Sequence, residues 1–146
     1  MELQQKTKTD TNGLIAPYGG ELKNLIIKDK NLKIDLISKA TYEFECSERN
    51  ACDVELLMVG AFSPLEGFMD ENNYKSVIKN NRDTNGLLFG LPIVFDSNNE
   101  KVKAGETILL TYKNQKIAIL EVSSKWEPDK SLEAELCYGT NSLDHP

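Results

Sequence analysis

"GAFSPLEGFM" occupies residues 60–69. It sets two Gly, one Pro, two Phe, a Leu and a Met around a single acid. It is too apolar for an ordinary solvated loop and too interrupted for a long helix or strand. Ser63 and Glu66 stand three apart with Pro64 directly after the Ser. That is the pattern of a capping box with Pro at the first helical position. Gly67 follows at once, where a positive φ is cheap only for Gly. The stretch therefore predicts a single helical turn over residues 63–67, a structural joint with Gly67 critical to its backbone. Phe62, Leu65, Phe68 and Met69 hang from the joint as apolar plugs. Such plugs need a receiving surface, either this domain's own core or another domain.

The flanks read more simply. Upstream, "SERNACDVELLMVG" predicts a helix with Ser47 as N-cap, Ala51, Val54, Leu57 and Met58 at helical spacing, and Gly60 just past the end. Further upstream, "LKIDLI" alternates Leu32, Ile34 and Leu36 with polar partners, the pattern of a strand. "LIAPYGGEL" predicts an apolar entry and a turn at Pro17 and Gly19-Gly20. Residues 1–12 are polar and predict a disordered tail. Downstream, Asp70 caps a helix through "ENNYKSVIKN", with Tyr74, Val77 and Ile78 on one face. "GLPIVFD", "ETILLTYK" and "QKIAILEVSS" are β-rich, the last two a hairpin turning at Asn114-Gln115. The continuous apolar run Ile117, Ile119, Val122 predicts a central strand. "PDKSLEAELCYG" predicts a helix capped by Asp129 or Ser131. Helices first and strands later argue for an α+β domain with a largely antiparallel sheet or small barrel.

The chain of 146 residues suits one domain, residues 13–146 after the tail. Its net charge of -6 opposes broad attraction to nucleic acid or an anionic membrane. The opening segment lacks the apolar core of a signal peptide, and no apolar run approaches the length of a membrane span. Cys46, Cys52 and Cys137 are odd in number and irregularly spaced, which fits reduced thiols and a cytoplasmic location.

Candidate chemistry is sparse. His145 is the only His and stands one residue from the end, poorly placed for a nucleophile–base system. With the three Cys it matches no zinc spacing. Asp53 and Glu55 point to different sides of their helix and make no acid–base pair. Ser63 has a cap role that needs no chemistry. Arg49 and Arg82 are the only arginines. No catalytic, cofactor-binding or metal-ligating residue is therefore assigned.

Four ordered blocks resemble one family. "DVELLMVGAFSPLEGFM" is similar to the Asp-Leu-Glu-Leu-Leu…Gly-Gly-Phe-Ser-Pro-Leu-x-Gly-Phe-Met signature of the amino-terminal domain of ATP sulfurylase (sulfate adenylyltransferase). "LIAPYGGEL", "GLLFGLPIVFD" and "AELCYGTNSLDHP" resemble three further segments of it, in the family's order, from Leu14 to Pro146. Tyr18 stands where the family usually has His, and Phe89-Gly90 where it has Trp-Pro. The resemblance implies a PUA-like pseudobarrel, a mixed, mostly antiparallel sheet with short helices beside it. It implies that the whole enzyme joins sulfate to the α-phosphorus of Mg-ATP, releasing pyrophosphate. The family's Gln-x-Arg-Asn-Pro and His-x-x-His motifs belong to its nucleotidyltransferase domain, and neither occurs here. The expectation is an amino-terminal, non-catalytic scaffold domain with no cofactor of its own. ATP and sulfate would be reached only through the missing catalytic domain, with homo-oligomerisation as a further possibility. A free-standing PUA-like binding module is the alternative.

Overall fold

The structure is a computed structural model that describes residues 13–142. The tail expected over residues 1–12 and His145 both lie outside the described residues.

Capping chemistry sets most element starts. Helix α1 spans Lys30–Lys39, where the Asp29 carboxylate accepts from the amides of Asn31 and Leu32. This corrects the strand expected at Leu32, Ile34 and Leu36. Leu32, Leu36 and Ile37 also satisfy helical spacing, and the Asp29 cap decides between the two periods. Strand β1 follows at Tyr42–Glu45, then α2 at Glu48–Met58 with Ser47 as N-cap. Ala51, Val54 and Leu57 form the buried face of α2, as its spacing predicts. Helix α3, Glu71–Asn80, is capped by Asp70 and buries Tyr74, Val77 and Ile78. Strands β2 (Thr107–Tyr112) and β3 (Gln115–Glu121) form the expected hairpin. Its turn is Lys113-Asn114, both at positive φ (50° and 63°), one residue earlier than expected. Helix α4, Lys130–Tyr138, starts at Asp129 and ends on Gly139.

The sheet is mixed, in the order β1-β2-β3, and does not close among the described residues. β1 runs parallel to β2, and β2 antiparallel to β3. The central strand is thus β2, whose four inner residues are all buried, and not β3, whose inner residues are half-buried. From its apolar run, Ile117, Ala118 and Leu120 pack partly buried against the core. α2 lies over the sheet, and Cys46, Ala51, Val54, Val102, Ile108 and Leu110 close the core. "GLPIVFD" is extended but joins no ladder; Pro92 offers no donor there.

The opening stretch is a joint, but not a helical one. Residues 59–64 turn repeatedly without forming a helix, and the Ser63–Pro64 peptide bond is cis. Gly67 has no positive φ and open space beside its Cα, so the expectation that it is backbone-critical is corrected. Gly60 carries that burden, at φ +82°. Phe68 and Met69 plug this domain's own core: Phe68 packs on Phe95 at 5.3 Å between centroids, and Phe95 on Phe44 at 5.2 Å.

Candidate functional site

Ser63 and Arg82 are engaged in hydrogen bonds, Cys46 is buried and Cys137 half-buried, while Cys52 is exposed on α2. Ser63 is 7% exposed, and its hydroxyl donates to the Gly60 carbonyl at 2.6 Å. It accepts from the Lys23 amide at 2.9 Å. It therefore pins a neighbouring strand of chain instead of capping a helix, and no base approaches it. Cys46 is buried, and burial, reinforced by Glu45, pushes its thiol pKa up. Burial and then Glu133 do the same for Cys137. Neither is an activated thiolate. Asp53 is half-buried and Glu55 exposed on α2, and they make no pair. Arg82 donates to the Gly86 carbonyl at 2.8 Å. Asp83, buried beside it, accepts from the amides of Asn85 and Leu87, which folds that loop. Among the described residues no group of three His, Cys, Asp or Glu side chains could hold a metal ion. Arg49 lies in the first turn of α2, and Arg82 just past the end of α3.

A cavity of about 870 Å³ opens between α1, α2 and β3, with Leu36, Met58, Phe68 and Ile117 in its lining. Two of its acids are already engaged, since Asp70 caps α3 and Glu66 pairs with Lys23. Lys33, Lys116 and Glu121 also line it, so the recess mixes apolar and charged side chains.

What the fold does assemble is a surface. Three segments far apart in sequence meet on one side: residues 14–25, 58–66 and 82–91. The chain of contacts is specific. The Leu25 amide donates to the Met58 carbonyl at 2.9 Å. A Cβ on Gly60 would sit 2.8 Å from the Lys23 carbonyl and from Leu22 Cδ1, so only Gly lets the two backbones approach. Gly19, at φ +76°, presses its Cα against Pro64, 2.7 Å from where a Cβ would lie. The Tyr18 hydroxyl donates to the Leu88 carbonyl at 2.9 Å, and its ring meets Phe89 edge-on at 6.1 Å. Tyr18 and Phe89, the two aromatic positions that depart from the family pattern, thus touch each other. Lys23 Nζ ties Glu21 Oε2 at 3.1 Å to Glu66 Oε1 at 2.8 Å. The bond from Lys23 holds the Glu66 carboxyl below its usual pKa, and Glu66 with Glu21 raises that of Lys23.

Sequence reasoning saw the turn at Gly19-Gly20 and the Gly60 helix stop, but not that Gly19 meets Pro64 and Gly60 meets Leu22 and Lys23. Nothing in local periodicity reports a contact 40 residues apart. The signal that was available was composition: residues 14–20, 59–65 and 86–95 carry no charged side chain in a chain that is 27% charged.

Comparison with known proteins gives these segments a context. A family model described as a PUA-like domain matches residues 15–146. Sulfate adenylyltransferase from Neurospora crassa is 40% identical over 139 residues, covering 89% of this chain and 24% of that protein. The Schizosaccharomyces pombe sulfate adenylyltransferase is 41% identical over 133 residues, covering 86% of this chain and 27% of that protein. Among solved structures, the hexameric APS kinase from Thiobacillus denitrificans superposes with a TM-score of 0.70 at 32% identity, over 80% of this chain and 24% of that chain. The chain spans about a quarter of the length of the curated relatives it matches, in their amino-terminal part. The α+β order of elements, the mixed sheet and the match over residues 15–146 agree, and the chain belongs to the PUA-like domain family.

Proposed function

We propose that this chain is the amino-terminal, non-catalytic domain of a sulfate adenylyltransferase, the activity that makes adenylyl sulfate and pyrophosphate from Mg-ATP and sulfate. The observation that carries the reading is the alignment at about 40% identity across nearly all of the chain but only 24% of the Neurospora crassa relative. The engaged Ser63 and the raised thiols of Cys46 and Cys137 support a role without chemistry of its own. Phosphoryl transfer proceeds by positioning and charge neutralisation, and the described residues supply no cationic cluster to do it. In this reading Mg-ATP and sulfate bind the other three quarters of the enzyme, in sulfate assimilation in the cytoplasm. No helix among the described residues is long and apolar enough to cross a membrane, which is compatible with that location. Homo-oligomerisation is part of the proposal, since the similar Thiobacillus denitrificans APS kinase is hexameric. No observation favours a free-standing binding module: a net charge of -6 and the absence of a basic aromatic face oppose RNA.

The test is a coupled pyrophosphate assay on the purified chain. The expected result is no sulfate-dependent pyrophosphate release and no Mg-ATP affinity tighter than about millimolar, because loss of even one such electrostatic contact costs about a hundredfold in rate. Sulfate-dependent turnover by the isolated chain overturns the proposal.

A further inference from the structure

We infer that the uncharged face formed by residues 14–20, Leu22, and residues 59–64 and 86–91 is the seat on which the rest of the same polypeptide docks. This rests on the proposed function and specifies which surface serves it.

The face is apolar and open. Ile15 is 82% exposed, Leu88 58%, Leu22 55% and Val59 52%, and Tyr18 and Leu91 are exposed as well. The contacts from Tyr18 to Leu88, Gly19 to Pro64 and Leu22 to Gly60 make these one surface and not scattered side chains. Single exposed apolar residues are ordinary, but a joined group of this size marks an interaction site. Depletion of charge at the centre is the compositional mark of a protein–protein interface. Charge reappears at the edge, where Glu21, Lys23 and Glu66 form a linked polar border and Arg82 flanks the other side. A membrane would ask for a basic rim, and this border balances Glu21 and Glu66 against Lys23 and Arg82.

The backbone beneath the face is held firmly. Two Gly–chain approaches, the buried Ser63 hydroxyl and the Tyr18 bond fix three loops that otherwise share no sheet. A surface assembled by long-range contacts yet left unburied is pre-organised for a partner. The relatives indicate which partner: each carries this quarter joined to three further quarters in one chain. Covalent attachment raises the effective concentration into the millimolar range, enough to keep a modest apolar patch covered. A second copy of this chain would lack that advantage.

The experiment replaces the matching quarter of the Neurospora crassa enzyme with residues 15–146 and compares this chimera with the isolated chain by hydroxyl-radical footprinting. The Schizosaccharomyces pombe host provides a second chimera. Labelling of Ile15, Tyr18 and Leu88 is expected to fall about fivefold or more in the chimeras, while Ile34, exposed on α1, labels equally in both. The paired substitution Ile15→Glu with Leu88→Lys is expected to lower the chimera's Tm by several degrees and leave that of the isolated chain unchanged within about 2 °C. Equal labelling of the face in chain and chimera, or equal Tm shifts, overturns the inference. So does concentration-dependent protection in the isolated chain, which assigns the face to a second copy. A chimera that turns over sulfate with the face fully labelled rejects the docking seat and keeps the proposed function. A protected face without turnover does the reverse.

Discussion

Replacing Gly60 by Ala tests the joint directly. Gly60 sits at φ +82°, where an L side chain costs about 1–2 kcal/mol. Its new Cβ would lie 2.8 Å from the Lys23 carbonyl, a backbone atom that cannot swing aside as a side chain can. Relief requires residues 22–23 to move away, which stretches the 2.9 Å bond from the Lys23 amide to Ser63 Oγ. Loss of that bond at a half-buried site adds about 1 kcal/mol. The total is about 2–3 kcal/mol. For 146 residues the unfolding entropy is about 0.3 kcal/mol/K, so Tm should fall by roughly 6–10 °C. Differential scanning calorimetry measures it. Gly67→Ala is the control, seven residues on, with no atom within 4 Å of the new Cβ and no positive φ. It should change stability by less than about 0.5 kcal/mol. A Gly60→Ala Tm within 2 °C of the parent, or a Gly67→Ala loss as large, refutes the reasoning.

Three further outcomes are expected. Tyr18→Ala and Phe89→Ala, combined in a double-mutant cycle, should couple by about 0.5–1.5 kcal/mol, the range for an edge-on ring pair; additive losses in urea titrations would show that the rings do not interact. Tyr74→Phe removes the 2.6 Å bond to Glu133 that joins α3 to α4, and should cost about 1–2 kcal/mol. Burial and Glu133 raise the Tyr74 pKa, so its contribution is complete below about pH 10 and is lost as pH rises towards the folded value; the variant's alkaline melting limb should be flatter, and an unchanged limb counts against the pairing. Lys23 lowers the Glu66 pKa, so the bridge contributes above about pH 4.3 and is lost as pH falls through the depressed value. Glu66→Gln should therefore shallow the acid limb of a Tm-against-pH series; because Glu66 also raises the Lys23 pKa, the alkaline limb where Lys23 loses its proton should shallow as well.

Legibility in the sequence followed the range of the forces. Ser47, Asp70 and Asp129 were readable as caps because a cap acts within three residues. The hairpin was readable from its two apolar runs. The segment of α1 misled because Leu32, Ile34 and Leu36 satisfy period two, while the deciding signal, the Asp29 cap, lay just outside the window. Residues 63–67 misled for a different reason. Ser63 and Glu66 have the local chemistry of a capping box, but Lys23 takes both, one through its amide and the other through its ammonium group. A local motif loses when a distant partner satisfies the same groups. The central position of β2 was hidden because its pairing with β1 crosses more than 60 residues. The candidate face was legible only as uncharged stretches; their convergence depends on Gly19 and Gly60 meeting chain far away in sequence.

The most direct measurement of the central claim is sulfate-dependent pyrophosphate release by the Neurospora crassa enzyme carrying residues 15–146 in place of its own matching quarter. The account predicts turnover within about tenfold of the parent, since a domain without catalytic groups should affect assembly and positioning more than chemistry. A folded chimera with the uncharged face protected and no sulfate-dependent turnover would contradict it.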